Sequence, residues 1–440
     1  WQDWDGQLYA AFERVDVSEL RRYADLGVDL SQGKGALRAW VDVKQGQFTG
    51  AAADVALSEV RVKLGAQLPV MDVLQVQGRL GARSLPGGFE LTAQSLAFDM
   101  ADGLHWPGGN MRVLSLAAQG PQAERGELQA DRLDLAALAQ MAARLPLDAS
   151  WRERLARYAP AGEVQSLVAS WQGPVEAPTQ YSVKGRVNQL AVAAVDSVPG
   201  VRGLTLDVDL DQQSGRAELS MAGGSVDVPD VFQERLIPVD RLSAQAHWQW
   251  SGEQLAVQVK KISFANADAQ GEAQLSWQTS DPAKSASHSR FPGVLDLQAH
   301  LSRAEGRRVY RYLPLVIDQE ARDYVRDAVQ AGTASNVQFT IRGDIDELPV
   351  IDPRRGAFKI SADVRNAKLT YLPWQLAAEA LERKFAIGRV SLINDFAAAA
   401  HGLPLVDDKD ILTLPAGQPE PQAPRVILGA GTGLGVAGMI

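Results

Sequence analysis

The sequence predicts a mainly β protein: a long antiparallel meander of amphipathic strands over residues 1–373, followed by a short α/β segment over residues 374–440. Three observations lead to this prediction. Apolar and polar residues alternate with period two through most of the chain, turn-forming pairs such as Ser251-Gly252 separate the alternating runs, and the alternation stops at residue 374. One apolar and one polar face is typical of an antiparallel sheet.

The alternation is clearest in three runs, at residues 204–211, 242–250 and 294–301. Side chains at every second position of a strand point to the same face, so each run has one apolar face. The residues on these faces are Leu204, Leu206, Val208, Leu210, Leu242, Ala244, Ala246, Trp248, Trp250, Leu295, Leu297, Ala299 and Leu301. Two arrangements satisfy such a face: it closes on itself as a sandwich core, or it forms a groove for an apolar ligand.

Helical spacing before residue 374 is limited to four stretches. They lie at residues 17–24, 133–144, 151–158 and 307–331, and the last is the longest. Residues 279–290 are small and polar and are predicted to form a loop.

The pattern after residue 373 is different. A helix is predicted over residues 374–385, then a strand over 389–393, a short helix from Phe396, and a strand that enters a glycine-rich loop at 429–435. Strand, helix and strand in this order are typical of an α/β fold. The chain therefore changes fold class between Pro373 and Trp374.

Composition excludes several classes of function. The net charge of −9 and the pI near 5.2 argue against a nucleic-acid partner, which requires a basic face. The absence of cysteine removes disulfides and thiolate chemistry, and the five histidines lack metal-ligand spacing, so no metal site is predicted. No run of eighteen apolar residues occurs, and the start at Trp1 without a signal segment suggests an internal piece of a longer protein.

An ordered series of stretches across residues 1–373 resembles the YhdP branch of the AsmA-like proteins. It includes VDVPDVFQERLIPVDRLSAQAHWQW at 226–250 and YRYLPLVIDQEARDYVRDAVQAG at 310–332, and it continues in the stretches at 33–64, 264–277 and 339–373. No single motif carries the resemblance. It rests on the order of the stretches.

This resemblance implies an AsmA-like β groove in the cell envelope that conducts phospholipid from the inner towards the outer membrane. It also implies a periplasmic location, with an anchor in the inner membrane supplied by an N-terminal helix that lies before Trp1, and it requires no cofactor. The candidates for lipid contact are Val208, Trp248, Trp250 and Leu297.

The segment from residue 374 to residue 440 resembles bacterial glucokinase, a protein of the sugar-kinase/actin-like ATPase fold. VSLINDFAAAAHGLPLV at 390–406 and PRVILGAGTGLGVA at 424–437 are similar to the sugar-site and second phosphate segments of that family. The resemblance implies that Asp395 is the general base for the sugar hydroxyl and that Asn394 and Asp395 bind the sugar. It also implies that backbone amides around the loop face ATP phosphates, at Gly429, Gly431, Thr432, Gly433 and Gly435.

Other parts of the glucokinase pattern are absent from the sequence, namely the first Asp-x-Gly-Gly-Thr phosphate loop, the later Glu-x-Gly-His sugar contacts and the adenosine loop. Phosphoryl transfer needs both phosphate loops and a Mg²⁺ position around one in-line geometry. ATP and Mg²⁺ would be cofactors only of a completed segment. The leading hypothesis is therefore phospholipid transport with an inactive tail. The alternative is a cytoplasmic glucokinase that forms glucose 6-phosphate.

Overall fold

The computed structural model of the chain describes residues 4–22, 29–65, 67–145, 147–285, 288–347, 354–371, 376–377, 425–430 and 434–439. These residues are mainly β, as the sequence predicted. The first half of the sheet contains β1 (Gly6–Asp16), β2 (Asp29–Lys44), β3 (Gln47–Lys63), β4 (Met71–Leu85), β5 (Gly88–Met100), β6 (His105–Trp106), β7 (Met111–Leu116), β8 (Arg125–Asp134) and β9 (Ala161–Gln172).

The second half of the sheet contains β10 (Gln180–Val192), β11 (Gly200–Asp211), β12 (Ser214–Asp227), β13 (Leu236–Ser251), β14 (Gln254–Ala265), β15 (Ala269–Gln278), β16 (Val294–Glu305), β17 (Val329–Asp344), β18 (Ala357–Tyr371) and β19 (Leu376–Ala377). A separate hairpin contains β20 (Arg425–Ala430) and β21 (Leu434–Met439).

Each strand of the large sheet pairs antiparallel with its neighbours in the chain. The ladder runs from β1 to β5, continues through β7 and β8, and then proceeds in chain order to β18 and β19. The two-residue strand β6 pairs with the end of β5. The sheet is thus a single open meander, which agrees with the predicted topology.

The period-two pattern of the sequence becomes two chemically different faces of the sheet. On the polar face, arginines bridge to carboxylates on the adjacent strand: Arg79 Nε and Nη2 donate to Asp54 at 2.6 and 3.1 Å, and Arg342 Nε donates to Asp296 at 2.9 Å. Exposed pairs of this kind contribute little to stability individually. They favour one register, because a one-residue slip would place each charge on the apolar face.

The α-helices of the described residues all connect strands at one rim of the sheet, whereas the opposite rim has a single three-residue 3₁₀ segment in the described residues, Ile345–Glu347. This helical rim contains the 3₁₀ segments Val17–Arg22 and Gly306–Tyr312 and the helices α1 (Leu135–Met141), α2 (Ala149–Tyr158) and α3 (Gln319–Ala328). Aspartates cap all three α-helices, because the Asp134, Asp148 and Asp318 carboxylates accept hydrogen bonds from free backbone N–H groups of the first turn. The opposite rim, formed mainly by short turns, is called the hairpin rim.

Two helical predictions need correction. The stretch 307–331 is not one helix: a 3₁₀ segment ends at Tyr312, α3 begins only at Gln319, and β17 begins at Val329. Pro314 lies in the interruption, and a proline both lacks an N–H group and disfavours helix at the preceding residue. The predicted helix over 374–385 is also wrong at residues 376–377, which pair with β18 as a strand.

The compact core lies at the helical rim. Ala137 and Met141 of α1 pack with Val60, Met71 and Met100 in a buried cluster. A smaller cluster contains Ala130, Leu133 and Val164. No helix in the described part of the chain combines the length and the apolar character that crossing a bilayer requires.

Candidate functional site: the apolar face of the sheet

A straight row of apolar side chains crosses eight strands, from β11 to β18. The residues are direct partners in successive strand pairs, so they share one face of the sheet. In order they are Val208, Ala217, Ala246, Val259, Leu275, Leu297, Ile341 and Phe358. At a strand spacing of about 4.8 Å, this row is roughly 34 Å long. The predicted contact residues Val208 and Leu297 both belong to it.

A second row contains the tryptophans. Trp248 pairs with Gly215 on one side and with Val257 on the other, and Val257 pairs with Trp277. Trp250 is two residues further along β13, on the same face, and is 41% exposed. All four residues predicted to contact lipid therefore lie on the apolar face.

Tryptophans on this face lie over glycines of the neighbouring strand. A Cβ atom at Gly215 would be 2.1 Å from Cζ2 of Trp248, and one at Gly126 would be 2.1 Å from Cζ2 of Trp171. Each indole therefore occupies the space that a side chain would need. The ring therefore lies flat against the sheet and contributes to its apolar surface.

The N-terminal part of the face is lined by small residues. A depression of about 430 Å³ is surrounded by apolar side chains of β3, β4, β5 and β7. They include Ala51, Ala53, Leu80, Ala82, Leu91 and Met111. A volume of this size lies in the range of ligand-binding clefts in proteins. Isolated alanines have no distinctive sequence signal, and the sequence alone did not indicate this depression.

The face is covered most extensively near the helical rim. Leu204, Met221, Leu301 and Val337 are buried there. Farther along the same strands, the described apolar-face residues are mostly half-buried or exposed. A sandwich core would bury these positions as completely as those at the rim. The open arrangement is therefore the one that the described residues adopt, and most of the face remains accessible.

A buried polar cluster fixes the 3₁₀ segment Gly306–Tyr312 to the sheet. Arg311 Nη1 donates to Asp268 Oδ2 at 2.5 Å, and the Tyr312 hydroxyl donates to the same oxygen at 3.0 Å. Asn266 Nδ2 donates to the Tyr312 oxygen at 3.0 Å. Arg311 also donates to Glu234, which lies in the connection before β13. The cluster thereby joins three connections at the helical rim.

Burial changes the pKa of the Tyr312 hydroxyl in this cluster. Asp268 and Asn266 are buried, and burial raises the pKa of the Tyr312 hydroxyl above its usual value, an effect that the hydrogen bond from Asn266 opposes. The phenol therefore stays protonated and acts as a donor to the Asp268 carboxylate. The pair Asn266 and Asp268 is more than forty residues from the pair Arg311 and Tyr312, so the association of the two pairs was not predictable from spacing.

The glucokinase-like site is only partly within the described residues. Asn394, Asp395, Gly431, Thr432 and Gly433 lie outside them. Gly429 and Gly435 are paired across the β20–β21 hairpin. Their roles in binding sugar or phosphate stay predictions.

Comparison with known proteins identifies the larger part of the chain. The YhdP protein family matches residues 1–384. The chain belongs to the YhdP family. YhdP proteins are associated with the cell envelope. The match extends beyond residue 373, where the sequence pattern changes, and includes the short strand β19. The described YhdP sheet, β1 to β19, therefore lies within the matched region.

The chain is also similar to curated glucokinases. A glucokinase of Nostoc sp. (strain PCC 7120) is 35% identical over 136 residues, which cover 29% of this chain and 39% of that protein. A glucokinase of Nostoc punctiforme is 40% identical over 100 residues, covering 22% of this chain and 28% of that protein. A glucokinase of Marinobacter nauticus is 30% identical over 98 residues, covering 22% and 30%. The chain thus spans well under half of each of these relatives.

The two similarities share some residues of the chain. A match covering 29% of the chain is longer than residues 374–440, so part of it falls on residues before 374 that the YhdP family also matches. The predicted boundary at 373/374 stays a prediction. No solved structure matches the chain.

Proposed function

We propose that the apolar face of β1–β18 binds the acyl chains of phospholipid and conducts phospholipid between the inner and outer membranes. The continuous row from Val208 to Phe358 is the observation that carries this proposal. Membership of the YhdP family supports a role in lipid transport. The proposal places the sheet in the periplasm, attached to the inner membrane by a segment outside the residues given.

The energetics suit a ligand that moves along the face. Burial of apolar surface contributes about 25 cal/mol per Å², so an acyl chain that buries several hundred Å² gains several kcal/mol. Successive positions along the row offer similar apolar contacts and no charged side chain. A chain shifted by one strand exchanges one such set of contacts for another, which favours movement over fixed binding.

The test is the amount of phospholipid that co-purifies with the 440-residue chain, measured by native mass spectrometry. Val208→Asp and Leu297→Asp each place an uncompensated carboxylate in the apolar row, which opposes acyl-chain binding. Both variants are expected to lose the bound phospholipid while circular dichroism shows the sheet intact. Gln249→Asp is the matched control, because Gln249 is exposed and lies between Trp248 and Trp250 on the opposite face.

Retention of wild-type phospholipid in both apolar-face variants would contradict the proposal. So would an equal loss in Gln249→Asp, since that residue lies on the polar face and its charge would not reach an acyl chain on the other side of the sheet.

For residues 374–440 we propose that the glucokinase-like segment does not phosphorylate glucose in this chain. The similarity covers 39% of the Nostoc sp. glucokinase. Asp395 has the residue type of a general base, and the glycine loop has the composition of a phosphate cradle. The first phosphate loop that would hold the remaining phosphates is absent from the sequence.

A further inference from the structure

The apolar face of the sheet carries a series of aromatic side chains along the hairpin rim. They lie near the strand ends at this rim or in the connection before β16, and together they are called the aromatic band: Phe48, Phe89, Trp171, Tyr181, Trp248, Trp250, Trp277 and Phe291. Phe48 is 70% exposed and Phe291 is 57% exposed. The aromatic band therefore borders the open side of the face.

The connection before β16 holds Trp277 in place in the same way as the two tryptophans described above. A Cβ atom at Gly293 would be 2.5 Å from Nε1 of Trp277, so the indole occupies space beside a glycine. Its Nε1 donates to the Pro292 carbonyl at 2.8 Å, and the Phe291 ring centroid lies 6.1 Å from that of Trp277. The rings of the band are thus positioned by packing against the sheet and its turns.

The helical-rim end of the same face is closed by packing. Met221, Leu301 and Val337 are buried there, and α1 packs over the corresponding ends of β3, β4 and β5. Leu242 on β13 pairs with the buried Met221. The strand that carries Trp248 at the open end of the face therefore reaches the closed end at Leu242.

The distance between the two ends suits the length of an acyl chain. Trp248 and Leu242 are six residues apart on β13 and share one face. At the rise of a β-strand, this spacing is roughly 20 Å. The hydrocarbon of one leaflet is about 15 Å deep, because a bilayer core is about 30 Å thick. An acyl chain that lies along a strand can therefore extend from the aromatic band to the closed end.

We propose that the aromatic band holds the glycerol and ester region of a bound phospholipid, with the acyl chains directed along the strands towards the helical rim. The headgroup then lies in water beyond the hairpin rim. This inference rests on the proposed function of the face. Trp and Tyr are enriched at the headgroup level of membranes, because each ring combines an apolar body with a polar group.

The closed end of the face argues against the reverse orientation. A phosphate placed there would lose its hydration among buried apolar side chains, which is strongly unfavourable for an unpaired charge. The buried charges of Asp268 and Arg311 at the helical rim are already paired with each other. The open, aromatic end leaves the phosphate in water.

This orientation also describes how a lipid would move. Each acyl chain lies along a strand, across the row from Val208 to Phe358. A shift by one strand carries the acyl chains sideways along the row and the headgroup along the hairpin rim. The phosphate stays in water at each step, so no step includes the cost of its burial.

The test is photolabelling of the full 440-residue chain by phosphatidylcholine that carries a diazirine in its acyl chain. One probe has the diazirine next to the ester, and the other has it at the terminal carbon. Mass spectrometry locates the labelled residues. The near-ester probe is expected to label the Trp250 end of β13 several-fold more than the Leu242 end, and the terminal probe is expected to give the reverse ratio.

The photolabelling separates this inference from the proposed function. The opposite assignment of the two probes, or an equal distribution of both along β13, would overturn the orientation and leave acyl-chain binding to the face supported. Labelling confined to polar-face residues such as Gln249, or no labelling by either probe, would overturn both proposals.

Two lysine variants on the same face of β13 give a second, matched measurement. Trp250→Lys places an amine at the aromatic band, close to the phosphate, and is expected to retain most of the co-purifying phospholipid. Leu242→Lys places the same charge beside the terminal part of the acyl chains and is expected to lose it. Equal effects of the two variants, or a greater loss in Trp250→Lys, would contradict the orientation. Photolabelling of the unaltered chain decides the question if Leu242→Lys does not fold.

Discussion

Val208 in β11 and Leu297 in β16 lie on the same face of the sheet although four strands separate them. The link is a chain of direct cross-strand partners, Ala217, Ala246, Val259 and Leu275. Bulges interrupt several of these strand pairs, yet none lies within this row. The register is therefore maintained where the apolar contacts are continuous, and a lipid path along the row needs no detour.

Substitution of Gly215 by alanine should displace Trp248. The new Cβ atom would lie 2.1 Å from Trp248 Cζ2, so the indole must rotate away from the sheet. Overpacking of this kind costs about 1–3 kcal/mol of unfolding free energy. Denaturant unfolding measures the loss, and tryptophan fluorescence reports the change in exposure of the ring. The double variant Gly215→Ala/Trp248→Leu should recover part of the loss; an equal loss in both variants would show that Trp248 is not the obstacle.

Substitution of Asp268 by alanine should release the 3₁₀ segment Gly306–Tyr312. It removes the acceptor for Arg311 and Tyr312 and leaves a half-buried guanidinium with Glu234 as its remaining partner. Loss of one member of a buried ion pair costs about 3–5 kcal/mol. Hydrogen exchange at residues 306–328 should accelerate, with little change in β1–β5. The double variant Asp268→Ala/Arg311→Met should be less destabilised than Asp268→Ala, and additive losses would argue against this pairing.

The glucokinase-like segment should give no glucose-dependent ATP turnover above background in the purified chain. Loss of one preorganised electrostatic donor typically lowers a rate by about 10²–10³, and the sequence lacks a complete phosphate loop. A coupled assay for glucose 6-phosphate measures the turnover. Activity that disappears in Asp395→Ala would refute this prediction and make the chain a kinase.

The strands were predictable because their signal is local. Alternation in residues 242–250 follows directly from the pleat, and β13 contains the whole run. The same alternation identified Val208, Trp248, Trp250 and Leu297 as residues of one face. It left open whether that face is covered, because coverage depends on elements far away in sequence. Burial concentrated near the helical rim answered that question.

The remaining features depend on tertiary contacts. Pro314 is a local signal for the break in the helix predicted over 307–331, but the entry of residues 329–331 into β17 depends on pairing with distant strands. The cluster of Asp268, Arg311 and Tyr312 unites residues from separate connections. Neither the period of a sequence nor the type of a single residue contains that information.

Pairing between chain neighbours also determines how this sheet assembles and changes in length. Contacts between neighbours in sequence reduce the entropic cost of loop closure. Strands can therefore add to the sheet one after another. Such an array is quasi-one-dimensional: each hairpin interacts mainly with the two beside it. Insertion or deletion of one hairpin would change the span of the sheet by about 10 Å and leave distant strand pairs unaltered. The length of the sheet can therefore change in steps of two strands.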